Sequence, residues 1–399
     1  MRPFDGRRVL LVVSGGIAAY KSAFLSRRLI QAGASVDVIL TEAAQRFVGA
    51  ETFEGITGRQ VHTKLWQTAM AHLDLGKSAD VIVVAPATAD LISSMAVGAA
   101  KDLASATLLA AEAPVIVCPA MNTRMWKHPA TQANICSLLE FGYDIVGPAE
   151  GPLAEGESGI GRLVEPEEIM ASIGKALESH SRFEGLKVVV TAGPTRSSLD
   201  PVRFLSNRSS GRMGYSLARA SWRRGGSVTL ITGPAMPTST FGLSVIEVET
   251  AQEMQEALKA ELAEADVLIM TAAVADFEVV RMPDAKIKKE DSEGLTLSLH
   301  PGPDLLLETK SLREKNGIFT LGFALETEDA IENGRDKMER KGMQRVAVNV
   351  ANEPGAGFEV ETNRISLVHS SGKVEELPLA TKEELADQLL DHIESAMDE

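Results

Sequence analysis

The chain has 399 residues, 44% hydrophobic and 24% charged, with a net charge of −15. This length exceeds one typical domain, the composition is that of a soluble globular chain, and the acidity excludes a broad electrostatic nucleic-acid footprint. Phosphorylated ligands must then be met by local basic groups and backbone amides. Two cysteines, Cys118 and Cys136, provide no readable disulfide framework. The apolar run after Arg7-Arg8 is cut short at Ser14, too early for a signal-peptide core or a membrane span, and the expected compartment is the cytoplasm.

Val9 to Val13 reads as a first strand, Ser14-Gly15-Gly16 as a turn, and Ile17 to Ala32 as a helix closed by Gly33. A strand, a small-residue turn and a helix amino end together form an anion site. The turn lacks the GxGxxG fingerprint, which disfavours NAD. Ser35 to Leu40 makes the second strand with Thr41 at its end. Ala71 to Leu75 alternates like a strand, with His72 and Asp74 on one face. Val81 to Ala85 is the next strand, and Pro86 to Asp90, including Ala87 and Thr88, is a small polar loop. Ser14, Thr41 and Thr88 thus offer hydroxyls along one edge of a sheet.

Val115 to Cys118 is a short buried strand, after which Pro119 to Trp126 turns polar at Asn122 and Arg124. Ligands of open α/β sheets bind beyond the carboxyl ends of such strands. Glycine-rich Gly151 to Gly161 reads as a mobile loop, and Glu165 to Arg182 as a last helix plus linker. The seven histidines never fall at i, i+4 and lack a companion cysteine cluster, so no zinc site is expected.

The pattern then restarts. Lys187 to Thr191 is a strand followed by Ala192-Gly193-Pro194, and Ala265 to Phe277 echoes Ala79 to Leu91. Two doubly wound, mostly parallel α/β domains are therefore expected, residues 1–182 and 183–399. Asp200 to Arg203 and Ser206 to Gly214 form a basic, hydroxyl-rich loop suited to wrapping an anion. Ala285 to Lys289 is a short basic run that is either nucleotide-facing or plain solvated surface. Lys337 and Lys341 share one helix face.

Pro119, Met121, Asn122, Met125 and Trp126 fill the fixed positions of PxMNxxMW, which resembles the substrate motif of the flavin-dependent phosphopantothenoylcysteine decarboxylases. SGGIAAYK and AHLDLGKSAD are similar to further segments of that family. The resemblance implies a flavodoxin-like first domain with FMN held by Ser14, Gly15, Gly16, Thr41, Ala87 and Thr88. It implies Asn122 at the substrate carboxylate, Met121 beside it, and His72 as a base near the flavin. The glycine-rich stretch corresponds to a flap that carries a proton-donating cysteine in that family. Glu155 stands there instead, either as a replacement acid or as a solvated loop residue.

In the second half, TAGPTR, DPVRFLSNRSSGRMG, AAVADF, AKIKK, PDLL and GFALET occur in the order of the phosphopantothenate–cysteine ligases fused to those decarboxylases. By resemblance, Asn207 handles an acyl-nucleotide and Lys286 is an essential lysine at the nucleotide. Arg203, Asp276, Pro303, Asp304, Leu305, Leu306, Phe323, Lys337 and Lys341 line the substrate and nucleotide pocket. The family usually reads Asn-Asp where this chain has Asn349-Val350, so Val350 receives no role.

The implied activity is CTP- and magnesium-dependent ligation of 4′-phosphopantothenate to cysteine through an acyl-cytidylate. FMN-dependent decarboxylation of phosphopantothenoylcysteine to 4′-phosphopantetheine follows. The resemblance further implies a homo-oligomer, trimeric through the first domain and dimeric through the second. The rival readings are a flavoprotein that stops at an ene-thiol and a non-catalytic flavin-binding scaffold.

Overall fold

Runs of Val, Ile and Leu bounded by turn residues build two open sheets in the computed structural model, which describes residues 3–66, 70–154, 156–178, 181–235, 239–280, 285–287, 296–350, 357 and 360–397. The chain divides into two units, Met1–Ser179 and His180–Glu399.

In the first unit the strands are β1 (Arg8–Val13), β2 (Ser35–Leu40), β3 (Val81–Ala87), β4 (Val115–Pro119), β5 (Asp144–Ile145), β6 (Ala149–Pro152) and β7 (Ser158–Arg162). The helices are α1 (Ala19–Gln31), α2 (Ala50–Thr57), α3 (Ala71–Ser78), α4 (Ala89–Ala96), α5 (Leu103–Leu109), α6 (Thr123–Trp126), α7 (Pro129–Glu140) and α8 (Pro166–Leu177). The main sheet runs β2-β1-β3-β4-β5, all parallel, the flavodoxin-like order. Leu10, Val12, Ile82, Val84, Val115 and Val117 pack against Leu91, Ile92, Leu103 and Leu138 on one face. Helices α1 and α8 lie against the sheet as well.

Two expectations are corrected here. Ala71 to Leu75 is the start of α3, not a strand. Ala71 and Leu75, four apart, are both buried, and this helical spacing fits the segment better than alternation. His72 and Asp74 therefore point in different directions. The two ends of the glycine-rich stretch are not loose loop either: β6 and β7 pair antiparallel as a hairpin.

The second unit contains β8 (Lys187–Ala192), β9 (Arg196–Ser198), β10 (Phe204–Ser206), α9 (Arg212–Arg223), β11 (Ser227–Thr232), β12 (Ser244–Glu247), α10 (Ala251–Glu261), β13 (Val267–Met270), β14 (Phe277–Val279) and β15 (Leu299–Pro301). It continues with α11 (Leu305–Asn316), β16 (Phe319–Glu326), α12 (Ala330–Lys341), β17 (Arg345–Val350), β18 (Thr362–His369), β19 (Val374–Thr381) and α13 (Lys382–Ala396). Its sheet runs β12-β11-β8-β13-β16-β17-β18-β19, parallel except for the antiparallel pairs β17–β18 and β18–β19. Alternate residues of β8 face opposite sides: Val188 and Val190 join the core under α9 and α13, while Val189 joins that under α10, α11 and α12. The echo between the halves is structural, since β11-β8-β13 repeats the arrangement β2-β1-β3.

Candidate functional site

At the carboxyl edge of the first sheet, Ser14 is 1% exposed, and its hydroxyl donates to Pro86 O at 2.7 Å while accepting from Thr88 N at 2.9 Å. It lies 3.1 Å from Thr88 Oγ1, so β1 and β3 are tied together where they end. A Cβ on Gly15 would lie 2.3 Å from that of Ala43, so only glycine lets the turn pass the loop after β2. Thr41 Oγ1 accepts from Ala44 N at 3.2 Å and shapes that loop. The amino end of α1 has no side-chain cap; Ala19 N and Lys21 N donate to Gly16 O and Ala18 O at 2.9 and 3.0 Å, and the positive end of the helix dipole favours an anion there.

The Asn122 segment adjoins this edge, because Ala120 N donates to Ala87 O at 3.0 Å. Asn122 caps α6, its Oδ1 accepting from Arg124 N at 2.7 Å. The hairpin docks on the same segment: Met121 N donates to Gly161 O at 2.9 Å. At Gly161, where φ is +148°, a Cβ would stand 2.1 Å from Met121 O. These glycines serve close approach. Lys21 Nζ anchors the exit of the hairpin through Leu163 O at 3.2 Å and Glu165 at 2.9 Å. Lys21 and Arg162 hold the Glu165 carboxyl below its ordinary range, against its burial.

His72 sits half-buried in the first turn of α3. Asp74, Lys77 and Ser78 of α3 border a cleft with Arg8, Asp37 and His62, a lining that does not include His72. Glu155 lies outside the described residues. Cys118 is buried in β4, where burial pushes its thiol far up, and Cys136 is exposed on α7.

In the second unit a cavity of about 530 Å³ gathers Asn207, Asp276, Pro303, Asp304, Leu305, Leu306, Phe323, Lys337 and Lys341. Asn207 Nδ2 donates to Ala273 O and Val274 O at 3.1 and 3.2 Å. Asp304 caps α11 through Leu307 N at 3.1 Å and meets Lys341 Nζ at 3.0 Å, while Lys337 pairs with Glu326 at 2.5 Å.

Two predicted residues lie outside this lining. Arg203 is clasped by the Asp200 carboxylate, Nε at 2.9 Å and Nη2 at 2.5 Å, and its Nη2 also donates to Ile287 O at 3.0 Å. Asp200 accepts in addition from Val202 N, Arg203 N and Ile287 N. These bonds, the Arg203 guanidinium first, hold its carboxyl well below the usual carboxylate range. The pair thereby fastens the 285–287 segment on which Lys286 stands exposed.

The cavity also contains residues that sequence reasoning missed, Asn349, Asn363 and Lys382. Asn349 Oδ1 is buried without a hydrogen-bond partner. Lys382, 6% exposed at the start of α13, donates to Gly357 O and Val360 O, and burial lowers its pKa to about 8. A lysine opening a helix is placed against the dipole, which was the available signal.

The Flavoprotein family model matches residues 2–178, and that of the DNA/pantothenate metabolism flavoprotein C-terminal domain matches residues 183–397. The chain is 40% identical to the coenzyme A biosynthesis bifunctional protein CoaBC of Vibrio vulnificus over 402 aligned residues, covering 100% of both. It is 42% identical to the CoaBC protein of Bacillus subtilis, covering 98% of this chain and 97% of that one. The chain belongs to this family. It is a bifunctional enzyme of coenzyme A biosynthesis that combines a ligase with a decarboxylase. A solved C-terminal domain of a CoaBC protein is similar at 31% identity and a TM-score of 0.46, covering 54% of this chain and 97% of its own. Among the described residues no helix is long and apolar enough to cross a membrane.

Proposed function

We propose that the second unit joins 4′-phosphopantothenate to cysteine using CTP. The first unit then decarboxylates phosphopantothenoylcysteine to 4′-phosphopantetheine. The observation that carries this reading is the cavity of the second unit. Lys337 and Lys341, the hydroxyl-rich loop before α9, and the unpartnered Asn349 Oδ1 converge on one space. Cations suit a triphosphate, and an orphan acceptor suits the exocyclic amine of a base such as cytosine.

The substrate carboxylate attacks the α-phosphorus of CTP, pyrophosphate leaves, and the cysteine amine then displaces CMP from the acyl-cytidylate. Lys337 and Lys341 offset the charge that develops on the departing phosphates. Asn207 steadies the acyl-nucleotide, and Arg203 holds the segment of Lys286, the lysine assigned to the nucleotide. Magnesium enters with the nucleotide, Asp276 being an exposed carboxylate of the lining that offers a hard oxygen.

FMN suits the carboxyl edge of the first sheet, where the uncapped amino end of α1 can receive its phosphate. Bound there, it supplies the electron sink that loss of carbon dioxide requires. Asn122 orients the substrate carboxylate, and an imidazole nitrogen of His72 takes the thiol proton. The hairpin excludes water, and the carboxyl group of Glu155 returns a proton to carbon. Ile17, just before α1, and Tyr20 and Phe24 on it make an exposed apolar surface. That surface supports assembly of several copies through the first unit, and the trimeric first unit and dimeric second unit are carried over from the family resemblance.

Mass analysis of products from the full chain, given 4′-phosphopantothenate, cysteine, CTP and magnesium, tests the reading. The wild type is expected to yield 4′-phosphopantetheine, and Glu155→Gln the ene-thiol. Accumulation of phosphopantothenoylcysteine by the wild type would overturn the decarboxylase half, unconsumed CTP the ligase half, and an unaltered Glu155→Gln product the acid assignment.

A further inference from the structure

Away from both sites, the edge of the second sheet brings together three side chains from three elements. His369 ends β18, Glu375 lies near the start of β19, and His392 is on α13. Their spacing in sequence carries no metal signature, and the fold alone makes them neighbours. His369 Nε2 lies 2.8 Å from Glu375 Oε1, and His392 Nδ1 lies 3.8 Å from the same oxygen. All three donor atoms fall within 4.8 Å of one another. The two imidazoles meet edge to face at 89°, their centroids 5.9 Å apart. His369 is 7% exposed, and its Nε2 is buried with no well-aligned hydrogen bond despite the nearby carboxylate. A buried ring nitrogen left in that state carries a cost that a ligand would remove.

We propose that His369, Glu375 and His392 bind a divalent transition-metal ion of the zinc class, which clips α13 to the β18–β19 hairpin. At zinc bond lengths of about 2.0–2.1 Å, tetrahedral donor atoms lie roughly 3.3 Å apart, so each histidine nitrogen must shift by about 0.5 Å relative to the Glu375 oxygen, one outward and one inward. Two imidazoles and one carboxylate favour zinc, cobalt or nickel over magnesium or calcium. A solvent molecule completes the coordination. Lys373 Nζ, 2.8 Å from Glu375 Oε1, competes for the carboxylate, but its side chain is 64% exposed and free to swing out. Arg345, paired in register with His369, donates through Nη1 to Gln344 O and Ser370 Oγ, and its charge stands close enough to act on His369. The clip is structural: α13 also carries Lys382 into the ligase cavity, so the ion would steady that helix without touching substrate.

The test uses the full chain freed of metal with EDTA, titrated with Zn2+ alone and, for spectra, with Co2+ alone. The wild type is expected to bind one ion per chain, to develop visible Co2+ bands of tetrahedral intensity, and to melt at a higher temperature with Zn2+. His392→Gln and Glu375→Gln, both at partly exposed positions and checked for native circular dichroism, should bind at least about tenfold more weakly and lose the thermal shift. Binding that is equal in wild type and variants, or no binding by the wild type, overturns the proposal.

Discussion

Arg313 is 1% exposed, yet among the described residues its guanidinium donates to no carboxylate. Nε donates to Thr309 Oγ1 at 3.3 Å, Nη1 to Thr320 Oγ1 at 3.0 Å and Gly342 O at 2.8 Å, and Nη2 to Leu306 O at 2.7 Å and Lys341 O at 2.6 Å. Five donors thus meet five neutral acceptors, joining the first turn of α11 to the last carbonyls of α12, and burial lowers the pKa of the guanidinium. Arg313→Met would take the guanidinium donors from one buried and two partly buried carbonyls, a loss of roughly 2–3 kcal/mol together at about 1 kcal/mol or less each. Arg313→Lys, with three donors and no fork, should lose about half of that. With an m-value of about 2–3 kcal/mol/M, the methionine variant should unfold at roughly 1 M lower urea. Trp222 reports this transition if Trp66 and Trp126 are first replaced by Phe. Leu306 and Lys341 line the cavity, so ligase KM for CTP should rise while decarboxylation of supplied phosphopantothenoylcysteine is unchanged. An unshifted urea midpoint in Arg313→Met would refute this account of the buried cation.

Gly161→Ala should force the hairpin off Met121 O, costing roughly 1–3 kcal/mol in overpacking. Phosphopantothenoylcysteine should then accumulate during a coupled assay while CTP turnover continues; normal 4′-phosphopantetheine output would show that hairpin seating is irrelevant. Lys382 gives a pH signature: its folded pKa, about 8, lies below the ordinary 10.5, so between these values the unfolded chain binds more protons. Stability from this group should rise with pH across that window, its cost being fully present below pH 8. Urea midpoints measured from pH 7.5 to 10 should climb less steeply in Lys382→Met, and identical slopes would count against the buried ammonium.

The strands and their carboxyl edge were legible because Val and Ile runs stop at small polar turns, as at Val13-Ser14 and Val117 to Asn122. His72 was misread because Ala-His-Leu-Asp-Leu is too short to separate a two-residue period from an i, i+4 pair, and burial of Ala71 and Leu75 decided it. The hairpin was misread because glycine signals both mobility and contact, and only Met121 O distinguishes them. Arg313 lies in Lys-Ser-Leu-Arg-Glu-Lys, which looks like a solvated helix face. Asn349, Asn363 and Lys382 reach the cavity from β17, β18 and α13, a convergence set by tertiary structure that local spacing does not encode.

The antiparallel return of β18 and β19 has a consequence for synthesis. A chain made from its amino end can close the first sheet while α13 is still unmade, whereas the ligase cavity stays open on one side until Lys382 has been added. A nascent chain could therefore take up flavin before it can take up nucleotide. A cut between β18 and α13 would spare the first unit and separate Lys382 from the strands that complete its pocket.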